Sequence, residues 1–284
     1  MDYEVQWDNL TISNNFLFMK VMKNERICKR MIEKILDIKI DKIVYFEEEK
    51  TIDIRLGSRS IRLDVYVQDG KGTVFNVEMQ TTNPHHALPQ RARYYQGLID
   101  MELIDKGVYY HHLNQTYIIF ICTFDAFDMG RHIYTFHNTC EEDKDLKLKD
   151  GAVKVFLNSK GTIDDVEPDI KAFLQYVEGI LTENPFAQEI AAEVAHVKSN
   201  NEWRREFMTL EMELKLRELK GREEGREEGI EEGIEKGIEK GIEKGRLATA
   251  LEMLKNKLDI DLIAKCTYLS IEDVQELARK NKLI

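Results

Sequence analysis

The sequence is poor in the features that mark secreted, membrane-spanning or metal-thiolate proteins. Its four cysteines, Cys28, Cys122, Cys140 and Cys266, form no CxxC or Cys/His spacing. That spacing argues against a zinc-thiolate site and fits reduced thiols in a cytoplasm. The longest apolar run, residues 118–122, is far below the roughly 20 residues a membrane helix needs. The opening residues MDYEVQWDNL are acidic and lack a signal-like apolar stretch, so a cytoplasmic location without membrane contact is expected. A net positive charge is absent too. The formal net charge of −11 rules out a chain-wide basic footprint for nucleic acid. No G-x-S-x-G, P-loop or dinucleotide fingerprint occurs, which speaks against serine hydrolase, NTPase and dehydrogenase classes.

What is present is 284 residues with 43% hydrophobic and 33% charged side chains, enough for one good core and a smaller unit. The charge is unevenly spread: −2 over residues 1–140, −6 over 141–200 and −3 over 201–284. Residues 1 to about 180 read as mixed α/β. The apolar stripe of Ile27, Met31, Ile32 and Ile35 predicts a helix over 24–36. Strand-type runs lie at 42–46, 60–68, 73–80 and 116–123, with shorter ones at 132–137 and 152–157. Helices are expected at 88–106 and 168–181, and one long polar helix from about 186 to 245. The expected division is a core domain at 1–183, a helical arm at 184–245 and a small helical tail at 246–284.

The informative stretch is SIRLDVYVQDGKGTVFNVEMQ, residues 60–80. Ile61, Leu63, Val65 and Val67 alternate with Arg62, Asp64 and Tyr66. Phe75, Val77 and Met79 alternate with Asn76, Glu78 and Gln80. Period-2 alternation puts each set on its own face, and the turn cluster Asp69-Gly70-Lys71-Gly72 makes the strands an antiparallel hairpin. Pairing Gln68 with Val74 sets Asp64 opposite Glu78, with carbon-β atoms about 5 Å apart. Like charges so placed repel unless compensated, and a divalent cation such as Mg²⁺ is the natural compensation. Such an ion supports phosphodiester cleavage. The alternative is an exposed strand face that carries these residues for solubility. Helices at 24–36 and 88–106 are available to cover that face and make it a cleft.

With these residues the chain resembles the recombination-promoting nuclease (Rpn) family, also labelled transposase, of the PD-(D/E)XK nuclease superfamily. The resemblance rests on NNFLFMKVM, the hairpin above, LPQRARYYQGLID, YIIFICTFDAF and the glycine–glutamate repeats, in order over roughly residues 8–250. It implies an α/β core of the restriction-endonuclease-like type, a mixed central sheet flanked by helices, followed by a long C-terminal helix and a helical tail. It implies a Mg²⁺-dependent endonuclease acting on double-stranded DNA, with Mn²⁺ as a substitute. Asp64 is then the first metal-binding aspartate, and Glu78 and Gln80 fill the two fixed positions of the (D/E)-x-K motif. Gln80 replaces the superfamily lysine, although glutamine is usual in this branch. A neutral amide can position water but cannot take up a proton.

Other residues with functional side chains each have a simpler reading. Arg91, Arg93, Tyr94, Tyr95 and Gln96 follow the hairpin, and interleaved Arg and Tyr suit phosphate contact and base stacking. Arg91 and Tyr95, at i,i+4, are the candidate DNA contacts; a tyrosine pair packed on the sheet is the alternative. Glu33 reads as part of a solvated helix face, His85-His86 and His111-His112 as loop histidines, and Cys122 as a buried thiol.

Gly221, Gly225, Gly229, Gly233, Gly237, Gly241 and Gly245 recur every four residues. Each costs about 1 kcal/mol against alanine in a helix, and the period of four drifts by about 40° per repeat. Like charges are expected at i,i+4 and opposite charges only at i,i+3. The segment reads as a solvated spacer or as a self-association arm through Ile230, Ile234, Ile238 and Ile242. The tail has a helix-turn-helix look, with Ser270 and Asp273 as a capping box. Its acidic start at Ile271-Glu272-Asp273 is ill suited to phosphates. The leading expectation is a metal-dependent DNA endonuclease, with a homo-oligomer through the C-terminal helical region if the arm self-associates. The alternatives are a catalytically weak DNA-binding or assembly protein with the same fold, and a structural protein working through the long helix.

Overall fold

The computed structural model describes residues 3–52, 61–104 and 107–283. Ser60, where the first hairpin strand was expected to start, and residues 105–106, at the expected end of the next helix, lie outside them. Two compact units divide between Thr209 and Leu210.

The first unit is built on one mixed sheet. Its strands are β1 (Ile43–Ile52), β2 (Ile61–Asp69), β3 (Val74–Gln80), β4 (Thr116–Cys122), β5 (Ile133–Phe136) and β6 (Ala152–Asn158). They are ordered β1-β2-β3-β4-β6-β5. β3, β4 and β6 run parallel, while β1/β2, β2/β3 and β5/β6 are antiparallel. The helices of this unit are α1 (Tyr3–Asp8), α2 (Asn15–Met22), α3 (Glu25–Leu36), α4 (Leu88–Leu103), α5 (Pro168–Val177), α6 (Pro185–Ser199) and the first turns of α7 (Asn201–Lys255). A mixed sheet flanked by helices is the architecture expected from the sequence.

Local chemistry sets the central hairpin. Asp69 Oδ1 accepts the amides of Lys71 (2.9 Å) and Thr73 (2.8 Å), and Gly72 takes φ +82° to close the turn. Gln68 pairs with Val74 and Val65 with Val77, the register that alternation predicts. Every residue of β3 is buried, as a strand parallel to a neighbour and covered on both faces should be. On one face α4 lays Leu88, Ala92, Tyr95, Leu98 and Ile99 against Tyr66, Val74, Ile118, Phe120 and Phe156. On the other, α2 packs on β2 and β3 and α6 packs on α2 and α5. Stretch 15–22, not expected as a helix, becomes one because Asn14 caps it by accepting the Leu17 amide.

The single helix expected from about 186 to 245 is two. Asn200 is extended (φ −82°, ψ 113°) between α6 and α7, and its side chain accepts the amides of Glu202 and Trp203 to start the second helix. The base of α7 is fixed within the first unit by Phe207, whose ring lies 5.5 Å from Trp7 and 5.6 Å from Phe16.

The second unit contains the rest of α7 with α8 (Ile260–Thr267) and α9 (Ile271–Lys280). Its small core is Ala250, Leu254, Ile263, Ala264, Val274 and Ala278. Ser270 caps α9 through the Asp273 amide at 3.0 Å, as the capping box predicts. The expected absence of opposite charges at i,i+4 needs correction. Glu232 and Lys236 form such a pair at 2.7 Å, because the repeat changes there from Glu-Glu to Glu-Lys. Among the described residues no helix is long and apolar enough to cross a membrane.

The α7 glycines have open space where a side chain would start. Gly225→Ala and Gly233→Ala are therefore each expected to stabilise this helix by about 0.5–1 kcal/mol. Far-UV circular dichroism on heating would show later helix loss in both variants, and an unchanged or earlier loss would contradict the assignment.

Candidate active site

The β2–β3 ladder stops at Val65↔Val77, one step before Asp64 and Glu78 would pair. The two acids replace the missing bonds crosswise. Glu78 Oε1 accepts the Asp64 amide at 3.1 Å, and Asp64 Oδ2 accepts the Met79 amide at 3.0 Å. Each carboxyl thus satisfies a backbone N–H that the opened strand pair would leave orphaned. Asn15, at the start of α2, adds a long contact from Nδ2 to Asp64 Oδ2 at 3.5 Å.

Helix α4 brings the charge that offsets the pair. Arg91 Nη2 donates to Glu78 Oε2 at 2.9 Å, Nη1 to Gln80 Oε1 at 2.8 Å, and Nε to the Tyr95 hydroxyl at 2.6 Å. The guanidinium lies 5.0 Å from the Tyr95 ring and 5.6 Å from the Phe120 ring. Asp64, Glu78, Gln80, Arg91 and Tyr95, all singled out from the sequence, meet in one place. The Tyr95 hydroxyl, raised to about 12 by burial first and the nearby Glu78 charge second, stays a neutral phenol.

Electrostatics and burial fit a divalent cation. Glu78 is fully buried and Asp64 is 8% exposed. Burial pushes both carboxyls above the usual range; the Asp64 charge pushes Glu78 further, and Arg91 pulls both back. Asp64 Oδ1 has no hydrogen bond among the described residues. Asn76, two residues before Glu78 on the same face, is fully buried, and its side-chain amide favours the ionised form of Glu78. Two carboxylates completed by water and phosphate are what Mg²⁺ accepts. Among the described residues no cluster of three or more His, Cys, Asp or Glu could hold a metal.

The other sequence candidates lie outside this constellation. Glu33 Oε1 accepts the Ile40 amide at 2.8 Å and closes the end of α3. His85-His86 and His111-His112 sit in short 3₁₀ turns. Arg93 and Tyr94 are exposed, and Gln96 donates to Asp100 at 2.9 Å. Cys122 is buried, which raises its thiol to about 12. Asn15 and Asn76 had no assigned role. The alternation Asn76-x-Glu78-x-Gln80 already put Asn76 on the acidic face, whereas nothing in the sequence tied Asn15 to Asp64.

Carboxyls with raised folded values keep protons that the unfolded chain releases just above the ordinary carboxylate range. Without a cation the pair therefore costs stability as pH rises through that raised window. A cation that binds the ionised pair offsets the cost. The Tm gain on adding Mg²⁺ is expected to be larger at about pH 8.5 than at about pH 5.5, and Asp64→Asn with Glu78→Gln should abolish the difference. Differential scanning calorimetry reads this directly; equal gains at both pH values would refute cation binding by the pair.

A family model described as PD-(D/E)XK nuclease family transposase matches residues 14–215. Comparison with curated proteins and with solved structures gives no match. The matched span takes in the whole described sheet, the hairpin with Asp64 and Glu78, and α4 with Arg91 and Tyr95. It covers well over half of the chain and agrees with the resemblance carried by the sequence motifs. With a six-stranded mixed sheet in that span, the chain belongs to the PD-(D/E)XK nuclease family of transposases and carries its nuclease-type domain.

Proposed function

We propose that the protein is a divalent-metal-dependent DNA endonuclease of recombination-promoting or defence type. The observation that carries this reading is the convergence of two buried carboxyls, Asp64 and Glu78, at one hairpin end beside Gln80 and Arg91. Asp64 and Glu78 are the residues that would hold Mg²⁺ or Mn²⁺. When bound, such an ion lowers the pKa of water and offsets the negative charge that builds on the phosphate.

The protein's own groups supply position and exclusion. The crosswise amide bonds fix both carboxyls, and burial by α4 strengthens every charge interaction at the site. Arg91 offers a fixed positive charge where phosphate charge develops. In the reaction, water oxygen forms a new bond to phosphorus, the bond to the leaving sugar oxygen breaks, and that oxygen gains a proton. DNA is the expected substrate. The modest −2 over residues 1–140 predicts weak, salt-sensitive DNA binding without an extended basic surface.

Among the described residues no third acid joins the pair, which favours one alternative, a catalytically weak DNA-binding protein. Ile230, Ile234, Ile238 and Ile242 are each more than half exposed, which supports the further proposal of self-association through α7.

Plasmid nicking with Mg²⁺ or Mn²⁺ tests the main reading. Asp64→Ala and Glu78→Ala are expected to lower cleavage by at least ~10³-fold, the rate equivalent of several kcal/mol. An inert wild-type protein, or variants that cut equally well, would refute it, and binding without nicking would establish the weaker alternative. Light scattering on a chain ending at Lys220 tests the arm: an unchanged oligomeric state would sink it.

A further inference from the structure

Two arginines stand near the acid pair, and their donors are in different states. Arg91 commits Nε, Nη1 and Nη2 to Tyr95, Gln80 and Glu78. Arg62, two residues before Asp64 on β2, makes no side-chain hydrogen bond among the described residues. Its ion pair there is with Glu49, Nη1 to Oε1 at 3.7 Å, longer than a hydrogen bond. The Arg62 side chain is 62% exposed, against 35% for Arg91.

Strand register brings Arg62 and Glu49 to the site. β1 pairs Glu48 with Val65 and Lys50 with Leu63, which sets Glu49 opposite Asp64. Residues two apart on a strand are about 7 Å apart along it, a span that an extended arginine side chain covers. Both charges act on the Asp64 carboxyl. Behind burial, the Met79 amide and Arg91, the Arg62 charge draws it down and the Glu49 charge pushes it up. Glu49 also holds φ +55° inside β1, a left-handed backbone of the kind that clusters at ligand clamps and switches.

An exposed ion pair of this kind shifts an equilibrium by about fivefold at most. A phosphodiester offers a stronger partner, two oxygens sharing one negative charge that match the guanidinium fork. We propose that Arg62 contacts a DNA backbone phosphate at the rim of the site, and that Glu49 guards this arginine in the free protein. Binding of DNA exchanges carboxylate for phosphate and releases Glu49 to solvent. The proposal rests on the DNA part of the nuclease reading. It separates the two arginines: Arg91 holds the site together, and Arg62 meets the backbone of the substrate.

Anisotropy of a labelled duplex, in EDTA so that nothing is cut, gives affinity as a function of salt. Arg62→Gln is expected to weaken binding about tenfold at low salt. It should also reduce the slope of log K on log salt by about 0.9, the equivalent of one phosphate contact. Arg62→Lys, which keeps the charge, should restore the slope. Arg26→Gln, at a comparably exposed arginine paired with Glu189, should leave the slope unchanged. An R62Q slope equal to wild type, or the same change in R26Q, would overturn the contact. So would a wild-type chain that binds no duplex at low salt.

Glu49→Gln is expected to tighten binding about threefold in the wild-type chain and not in R62Q, where the guard has nothing to release. A gain of equal size in both would overturn the guard. Both side chains are exposed, so thermal melting should match wild type. Plasmid nicking keeps the two readings apart. A protein that binds with this slope and never nicks fails the nuclease reading and keeps the Arg62 contact. A protein that nicks, with R62Q cutting at the wild-type KM, fails the contact and keeps the nuclease.

Discussion

Burying two carboxyl groups in one sheet is the constraint from which the site follows. Asp64 and Glu78 lie where solvent barely reaches, and an uncompensated ion there costs several kcal/mol. The chain answers with backbone first: each acid takes an amide proton from the strand that carries the other. The remaining charge is met by Arg91, which requires α4 to lie across the sheet. Tyr95 and Phe120 then become the platform under the guanidinium, and the orientation of Gln80 follows from the same contact. Removing α4 would expose the acids and dissolve this arrangement together.

Much of this was legible in residues 60–80. Alternation around an Asp-Gly turn predicts the register that pairs Gln68 with Val74, and that register sets Asp64 and Glu78 at the same end of the hairpin. The convergence of Arg91 on Glu78 and Gln80 was not legible. Arg91 and Tyr95 share a helix face in sequence, but whether that face meets DNA or the sheet depends on how α4 packs. The apolar stretch 15–22 concealed a helix because buried helices lack a polar stripe. The break at Asn200 was hidden by uninterrupted helical composition, although Ser199-Asn200-Asn201 is a run of capping residues.

The acidic total of −11 also changes meaning. It once argued against a nucleic-acid enzyme, yet −9 of it falls after residue 140. Two of the acids in the first 140 residues are themselves the candidate cation ligands. What the charge describes is a site that would attract phosphate through a bound cation and Arg91, with no broad basic surface.

The crosswise bonds at the hairpin end carry one more consequence. The two carboxyl groups that would meet a cation also hold two backbone amides, so the chemistry of the site and the closure of the strands share the same side chains. The amides of Asp64 and Met79 are therefore the backbone positions most directly coupled to the state of the site. Their hydrogen-exchange rates connect loading of the carboxyls to breathing of the sheet, so a change confined to the two acids is felt as a local loosening of the fold.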